Sequence, residues 1–301
     1  MTEETNFLAR PLIGWASGIA IMLIWSGWLV ASRAGVTSAL TVHDIMAFRF
    51  GIASLIALPV CLYVKPWRGM SLVQIVTVTL VLGIPYTYIL FGAFNYAPAA
   101  HAAIFMNGVL PALTAILAFL IFREIPNRWE WLGGFLILIG AGFAAFGSVG
   151  FRFADTWFGD VLFVLAGLFF CIYMTLNRIW HLSMTQIWLC GSVINAIIFL
   201  PVWYLFLPSG IGETSETQLW IQMIYQGIVP NIIGLVLVAI TVRHIGPALS
   251  AALMSGVPAM GSFLGFIFLG ESLTVYGLLS IAILTPGILI VSLGKQASAK
   301  P

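Results

Sequence analysis

Ten apolar runs, most of them about 20 residues long, follow one another along the chain with only short polar or Pro/Gly-rich breaks between them. A helix needs about 20 apolar residues to cross the hydrocarbon of a bilayer, and backbone in lipid must satisfy its own hydrogen bonds, so each run dictates a membrane-crossing helix. The runs fall at roughly 12–32, 44–64, 71–94, 98–122, 129–148, 158–177, 185–207, 219–242, 247–269 and 273–293. Lys65-Pro66-Trp67-Arg68-Gly69 closes the second, Arg123 to Arg128 the fourth and Pro208 to Gln218 the seventh. Tyr96-Ala97-Pro98 makes a very short turn after the third. The first run exceeds the roughly 7–15-residue apolar core of a signal peptide and reads as a retained helix. The expected fold class is therefore an all-α polytopic membrane protein with ten transmembrane helices.

Composition removes the main alternatives. Charged residues make up 7% of the 301 and hydrophobic ones 61%, whereas a soluble domain carries about 25% charged residues. So few charges cannot clothe a water-soluble enzyme. Twelve basic against ten acidic residues leave a net charge of +2, with no basic face for nucleic acid. Cys61, Cys171 and Cys190 lie within apolar runs at no metal-binding or disulfide spacing and read as small packing residues. No cofactor and no metal are expected.

Basic residues set an orientation. With the N-terminus in the cytoplasm, Arg10, Lys65, Arg68, Arg123, Arg128, Arg178, Arg243, Lys295 and Lys300 lie on that side, against Arg33 and Arg152 on the other. This bias places both termini in the cytoplasm.

The chain also repeats itself. Glu124 follows Pro111 by thirteen residues, and Glu271 follows Pro258 by thirteen. Pro98 and Pro247 open the same two spans. A shift of 145 residues lays Gly14 on Gly159, Trp25 on Phe170, Trp28 on Tyr173, Ser32 on Asn177, Arg33 on Arg178 and Pro85 on Pro230. The halves, residues 1–148 and 149–301, each hold five spans. Five is odd, so the second half enters the membrane inverted. Inverted repeats that rock about a midplane site belong to transporters.

The two tandem five-helix units resemble the drug/metabolite transporter superfamily in its ten-helix EamA family. The residues that carry the resemblance run from Asn95-Tyr96-Ala97-Pro98 through Pro111 to Phe122-Arg123-Glu124, and from Gly246-Pro247-Ala248 through Pro258 to Leu269-Gly270-Glu271. Within that family the chain is similar to YddG-type amino acid exporters of bacterial inner membranes. The resemblance implies a central cavity lined by spans one, three, four, six, eight and nine.

Candidate substrate-binding residues follow from polar and aromatic groups deep in spans. Trp25, Trp28 and Ser32 share a helical face, repeated by Phe170, Tyr173 and Asn177. Such a stripe is either cavity wall or packing; Trp15 and Trp67, nearer span ends, suit an interfacial belt. Pro85 and Pro230 mark helix breaks beside Tyr86 and Asn231, which either frame a site or simply kink the helices. Asn107 near mid-depth needs a partner, from a substrate or a neighbouring helix. His101, a turn inside the outer surface, is a ligand or gate candidate. Arg49 is the one basic residue well inside a span. It either snorkels outward to pair with Asp44 or meets a substrate carboxylate.

Trp25, Trp28, Tyr86, His101, Asn107, Tyr173 and Asn231 are thus the expected binding set for an amino acid or related metabolite, with no catalytic residues. The expected function is export of aromatic or other hydrophobic neutral amino acids, by facilitated diffusion or weak proton coupling, since no Asp or Glu lies mid-span. A proton-coupled multidrug or metabolite exporter is the near alternative. The remote one is an intramembrane enzyme, for which Ser255 and His101 lack a supporting motif. No Walker A motif occurs, so the chain itself does not use ATP. Small-xxx-small spacing at Gly140/Ala144 and Ala141/Ala145 serves either packing within one chain or a weak homodimer. The remaining partner is the lipid bilayer.

Overall fold

The computed structural model describes residues 4–145 and 155–298. Arg152, Lys300, the end of the fifth expected span and the boundary between the two halves lie outside the described residues. All regular structure among the described residues is helical, in ten rods. They are α1 (Glu4–Val36), α2 (Val42–Val64), α3 (Leu72–Leu82 continued by Ile84–Ala93), α4 (Ala99–Phe122), α5 (Arg128–Ala145), α6 (Trp157–Trp180), α7 (Met184–Phe206), α8 (Glu216–Gly246), α9 (247–254 and Val257–Leu269) and α10 (Val275–Ser298). Seven of the described helices are long and apolar enough to cross a membrane, and Val257–Leu269 and Val275–Val291 are shorter apolar helices. The chain is a multi-pass membrane protein.

Local chemistry sets the helix starts. Thr41 with Asp44, Ser71 with Gln74 and Ser183 with Gln186 form reciprocal capping boxes that open α2, α3 and α7. α8 begins at Glu216, earlier than the apolar run indicates, because Ser215 Oγ accepts the Gln218 N–H and extends the helix into polar sequence.

Four helices are broken inside the membrane, each with proline at the second position of the resumed helix: Pro85 in α3, Pro111 in α4, Pro230 in α8 and Pro258 in α9. Proline is tolerated there because the first-turn N–H it lacks has no intrahelical partner. Pro111 and Pro258 each begin a thirteen-residue helix, Leu110–Phe122 and Val257–Leu269. Each helix ends on a left-handed residue, Arg123 at φ 59° and Gly270 at φ 65°. The following Glu N–H then turns back to a carbonyl, Glu124 to Ala118 at 3.4 Å and Glu271 to Gly265 at 3.3 Å. The proline-to-glutamate spacing is thus one helix plus its C-terminal cap, built twice.

The inversion shows in matched contacts. Gly14 of α1 packs against the break before α9, where a Cβ would lie 2.6 Å from the Ile245 side chain. Its counterpart Gly159 of α6 packs against the turn before α4, where a Cβ would lie 2.6 Å from Ala97. α1 also packs along α8 and α9, so the halves interlock. α10 lies along α5, with Gly140 facing Leu284 and Ser280 of the same chain. Cys61, Cys171 and Cys190 are free and buried.

Loops 37–41 and 207–215 meet on the face distal to the described ends of the chain, through Thr41 and Asp44. The turns at 65–71 and 181–183 lie on the other face, which is called here the termini face.

Candidate functional site

Trp28 of α1 is the centre of the polar interior. It is 8% exposed. Its Nε1 donates to Gln226 Oε1 of α8 at 2.9 Å. Gln226 Nε2 donates to Ser32 Oγ at 3.1 Å and to Gln222 Oε1 at 3.1 Å, and Gln222 Nε2 donates to the Ala31 carbonyl at 2.6 Å. Both glutamines are wholly buried. This network ties the first helix of one repeat to the eighth helix of the other, and its members satisfy one another in a low-dielectric interior. Phe91 of α3 meets the Trp28 ring edge-on, with centroids 6.4 Å apart.

The helix breaks in α3 and α8 flank this network, and amides satisfy the backbone they free. At Gly83, Asn195 of α7 accepts the Ile84 N–H at 3.0 Å and donates to the carbonyls of Thr79 at 3.1 Å and Cys190 at 2.6 Å. A Cβ at Gly83 would lie 2.1 Å from both the Thr79 oxygen and Asn195 Oδ1, so only glycine fits. In α8, Asn231 Nδ2 donates to the Gln226 carbonyl at 2.9 Å, bridging the break beside Pro230. Asn231 thus supports the helix break with one of its amide N–H groups.

Arg49 lies in α2, seven residues from its start at Val42, about 10 Å into the helix at 1.5 Å per residue. Its guanidinium sits over the Trp28 ring, 5.7 Å from the centroid. The Tyr86 hydroxyl of α3 is its electrostatic neighbour. The snorkelling pair with Asp44 does not form. Asp44 is fully engaged at the distal face, accepting from Trp203 Nε1, the Gly210 N–H and the Thr41 N–H, each at 2.9 Å. Among the described residues Arg49 makes no ion pair, whereas Arg33 pairs with Glu271, His101 with Asp160 and Arg178 with Glu124.

The other expected site residues divide. Trp25, Trp28, Tyr86 and Asn231 come together around α1, α3 and α8; Trp25 Nε1 lies 3.2 Å from where a Cβ on Gly234 would be, just past the α8 break. His101 is held at the distal side of α4 by Asp160 of α6, Nδ1 to Oδ1 at 2.7 Å, and Thr156 Oγ1 donates to the other carboxylate oxygen at 3.2 Å. Asn107 lies in the π-helical segment Ala103–Gly108 and Tyr173 packs its ring against Phe170 at 5.7 Å. Both are half-buried.

Gln222, Gln226 and Asn195 are site residues that span-by-span reading missed. Their signal was present: Gln222 and Gln226 are one turn apart in an apolar helix, and Asn195 is an uncharged amide deep in α7. Span two also contributes, through Arg49, where the family resemblance implied only spans one, three, four, six, eight and nine. A separate open recess of about 620 Å³ on the termini face, between Lys65–Gly69 and Ser183–Gln186, lies away from this chemistry.

Comparison with known proteins agrees with this architecture. The model of the EamA-like transporter family matches twice, over residues 12–146 and 157–293. The uncharacterized transporter YdfC of Bacillus subtilis (strain 168) is 22% identical over 275 residues, covering 88% of this chain and 86% of that protein. A solved structure described only as "Crystal structure of protein" shares the fold at a TM-score of 0.61 and 18% identity, over 97% of this chain and 99% of that one.

Proposed function

For this chain, a member of the EamA-like transporter family, we propose alternating-access export of neutral amino acids with aromatic or other hydrophobic side chains. The observation that carries the reading is the Trp28–Gln226 bond, which joins the two repeats beside a broken helix in each. A carrier of this type changes access by rocking one repeat against the other about a site of irregular backbone near mid-membrane. Trp25 and Trp28 supply flat apolar surface for a hydrophobic side chain, and the fully buried Phe91 backs the Trp28 ring. The YddG-type amino acid exporters are the branch whose substrates fit such walls.

The bias of basic residues supports a bacterial inner membrane with both termini in the cytoplasm. Metabolism maintains an outward amino acid gradient, so a downhill carrier suffices for export. The test is counterflow in proteoliposomes of the purified protein, preloaded with unlabelled amino acid and supplied with a labelled panel. Trans-stimulated uptake of Phe, Trp, Met or Leu, with the label recovered unchanged, is the expected result. Failure of every neutral amino acid to exchange overturns the reading.

A further inference from the structure

Among the described residues, Arg49 is a cation inside the membrane without an anion. A guanidinium never deprotonates under physiological conditions, and taking it from water into a low-dielectric interior is costly unless an opposite charge meets it. It is half-buried, on a helix packed among α3, α7 and α8. The acid nearest in sequence, Asp44, is committed to Trp203, Gly210 and Thr41. The Tyr86 hydroxyl, which has no hydrogen-bond partner among the described residues, offers a donor on the same side. The Trp28 ring forms a floor under the guanidinium and is itself fixed by Gln226.

We infer that Arg49 and Tyr86 form a carboxylate-binding site over Trp28, so that the recognised group of the ligand is its carboxylate and the carried class is that of monocarboxylates with an apolar body. Two guanidinium N–H groups suit the two oxygens of a carboxylate, and the tyrosine O–H supplies a third donor. No Asp or Glu lies mid-span in the sequence, so the ammonium of an amino acid meets no counter-charge at this depth and contributes little to recognition. The inference rests on the carrier reading above and specifies its chemistry: amino acids bind through the acid end, and acids lacking the amine bind as well.

The test uses ligand-induced thermal stabilisation and tryptophan fluorescence of the full-length protein in detergent, with three probes of one shape. These are phenylalanine, 3-phenylpropanoate, which lacks the amine, and phenylalaninamide, which lacks the carboxylate. Phenylpropanoate is expected to bind at least as tightly as phenylalanine, and phenylalaninamide at least about 30-fold more weakly, the usual scale for a lost charge-assisted hydrogen bond. Arg49→Gln should abolish the preference for acid over amide, Arg49→Lys should retain part of it, and Tyr86→Phe should weaken the acid roughly 5-fold. Arg49→Met, which removes an uncompensated charge, should melt no lower than wild type without ligand and lose the stabilisation by phenylpropanoate.

Equal binding of acid and amide by wild type, no binding of either acid, or an unchanged preference in Arg49→Gln overturns the inference. Arg49-dependent binding of phenylpropanoate with no exchange of any amino acid would leave this site standing and remove the amino acid reading.

Discussion

Arg33 of α1 and Glu271 at the end of α9 meet across the two repeats, Nε to Oε1 at 3.8 Å, on the distal face. Their repeat counterparts Arg178 and Glu124 meet on the termini face, Nη1 to Oε2 at 3.1 Å. An ion pair thus joins the halves at each face, generated by the same sequence element inserted in opposite orientations. The surroundings differ. Glu271 is 14% exposed and also accepts the Ala99 N–H at 2.9 Å and the Ala100 N–H at 3.4 Å, capping the start of α4. Arg33 also donates to the Phe94 carbonyl. Arg178 and Glu124 are 52% and 43% exposed, so solvent screens their attraction.

That difference has a measurable consequence. Glu271→Gln leaves Arg33 without its counter-charge and weakens a helix cap in a mostly buried setting, a loss of about 1–3 kcal/mol. Glu124→Gln removes an exposed pair and should cost about 0–1 kcal/mol. Thermal melting in detergent should therefore rank Glu271→Gln clearly below Glu124→Gln. Equal melting temperatures would show that the distal pair carries no special weight.

Asn195 tests how the α3 break is held. Its side chain serves Ile84 N–H and the Thr79 and Cys190 carbonyls at once, and it is 1% exposed. Asn195→Leu orphans these groups where no water replaces the partner, at about 1–3 kcal/mol for each left unsatisfied. A marked fall in folded yield and melting temperature is expected. Asn195→Asp, which can still accept from Ile84 but donates only when protonated, should lie between. A Leu variant as stable as wild type would mean the break satisfies itself.

Gln226 couples the repeats without touching lipid. Gln226→Leu removes the acceptor of Trp28 Nε1 and the donor to Ser32, and frees the Trp28 ring to turn. Transport should suffer more than folding does. The half-saturating substrate concentration is expected to rise roughly tenfold, equivalent to about 1.4 kcal/mol of binding. Initial rates of counterflow against substrate concentration decide it, with melting temperature as the control for folding.

The ten spans and the inverted repeat were legible because both are written in patterns local to the sequence. Apolar length fixes a crossing, and Pro111 to Glu124 and Pro258 to Glu271 mark one structural unit each. Trp25, Trp28 and Tyr86 were legible as aromatic or polar groups at depth. What could not be read was which polar groups satisfy each other. Asn231 donates one N–H to the Gln226 carbonyl. His101 is held by Asp160, and Arg49 was open to Asp44 until Asp44 proved committed to the 207–210 loop. Those assignments depend on contacts between spans far apart in sequence, such as Trp28 with Gln226, and no periodicity within one span encodes them.

A strongly proton-coupled carrier needs a group that releases a proton as substrate binds and regains it afterwards. The charge beside Trp28 belongs to Arg49, which stays protonated at every physiological pH and has no proton to exchange. The buried acids at the distal side are engaged, Asp44 by Trp203, Gly210 and Thr41 and Asp160 by His101 and Thr156. Downhill flux of a labelled aromatic acid or amino acid should therefore proceed in proteoliposomes at equal pH on both sides. An imposed pH gradient of either sign should change the initial rate by less than about twofold and produce no accumulation above equilibrium. Uphill accumulation driven by the gradient, and lost in His101→Gln, would identify the His101–Asp160 pair as a coupling site and overturn the facilitator reading.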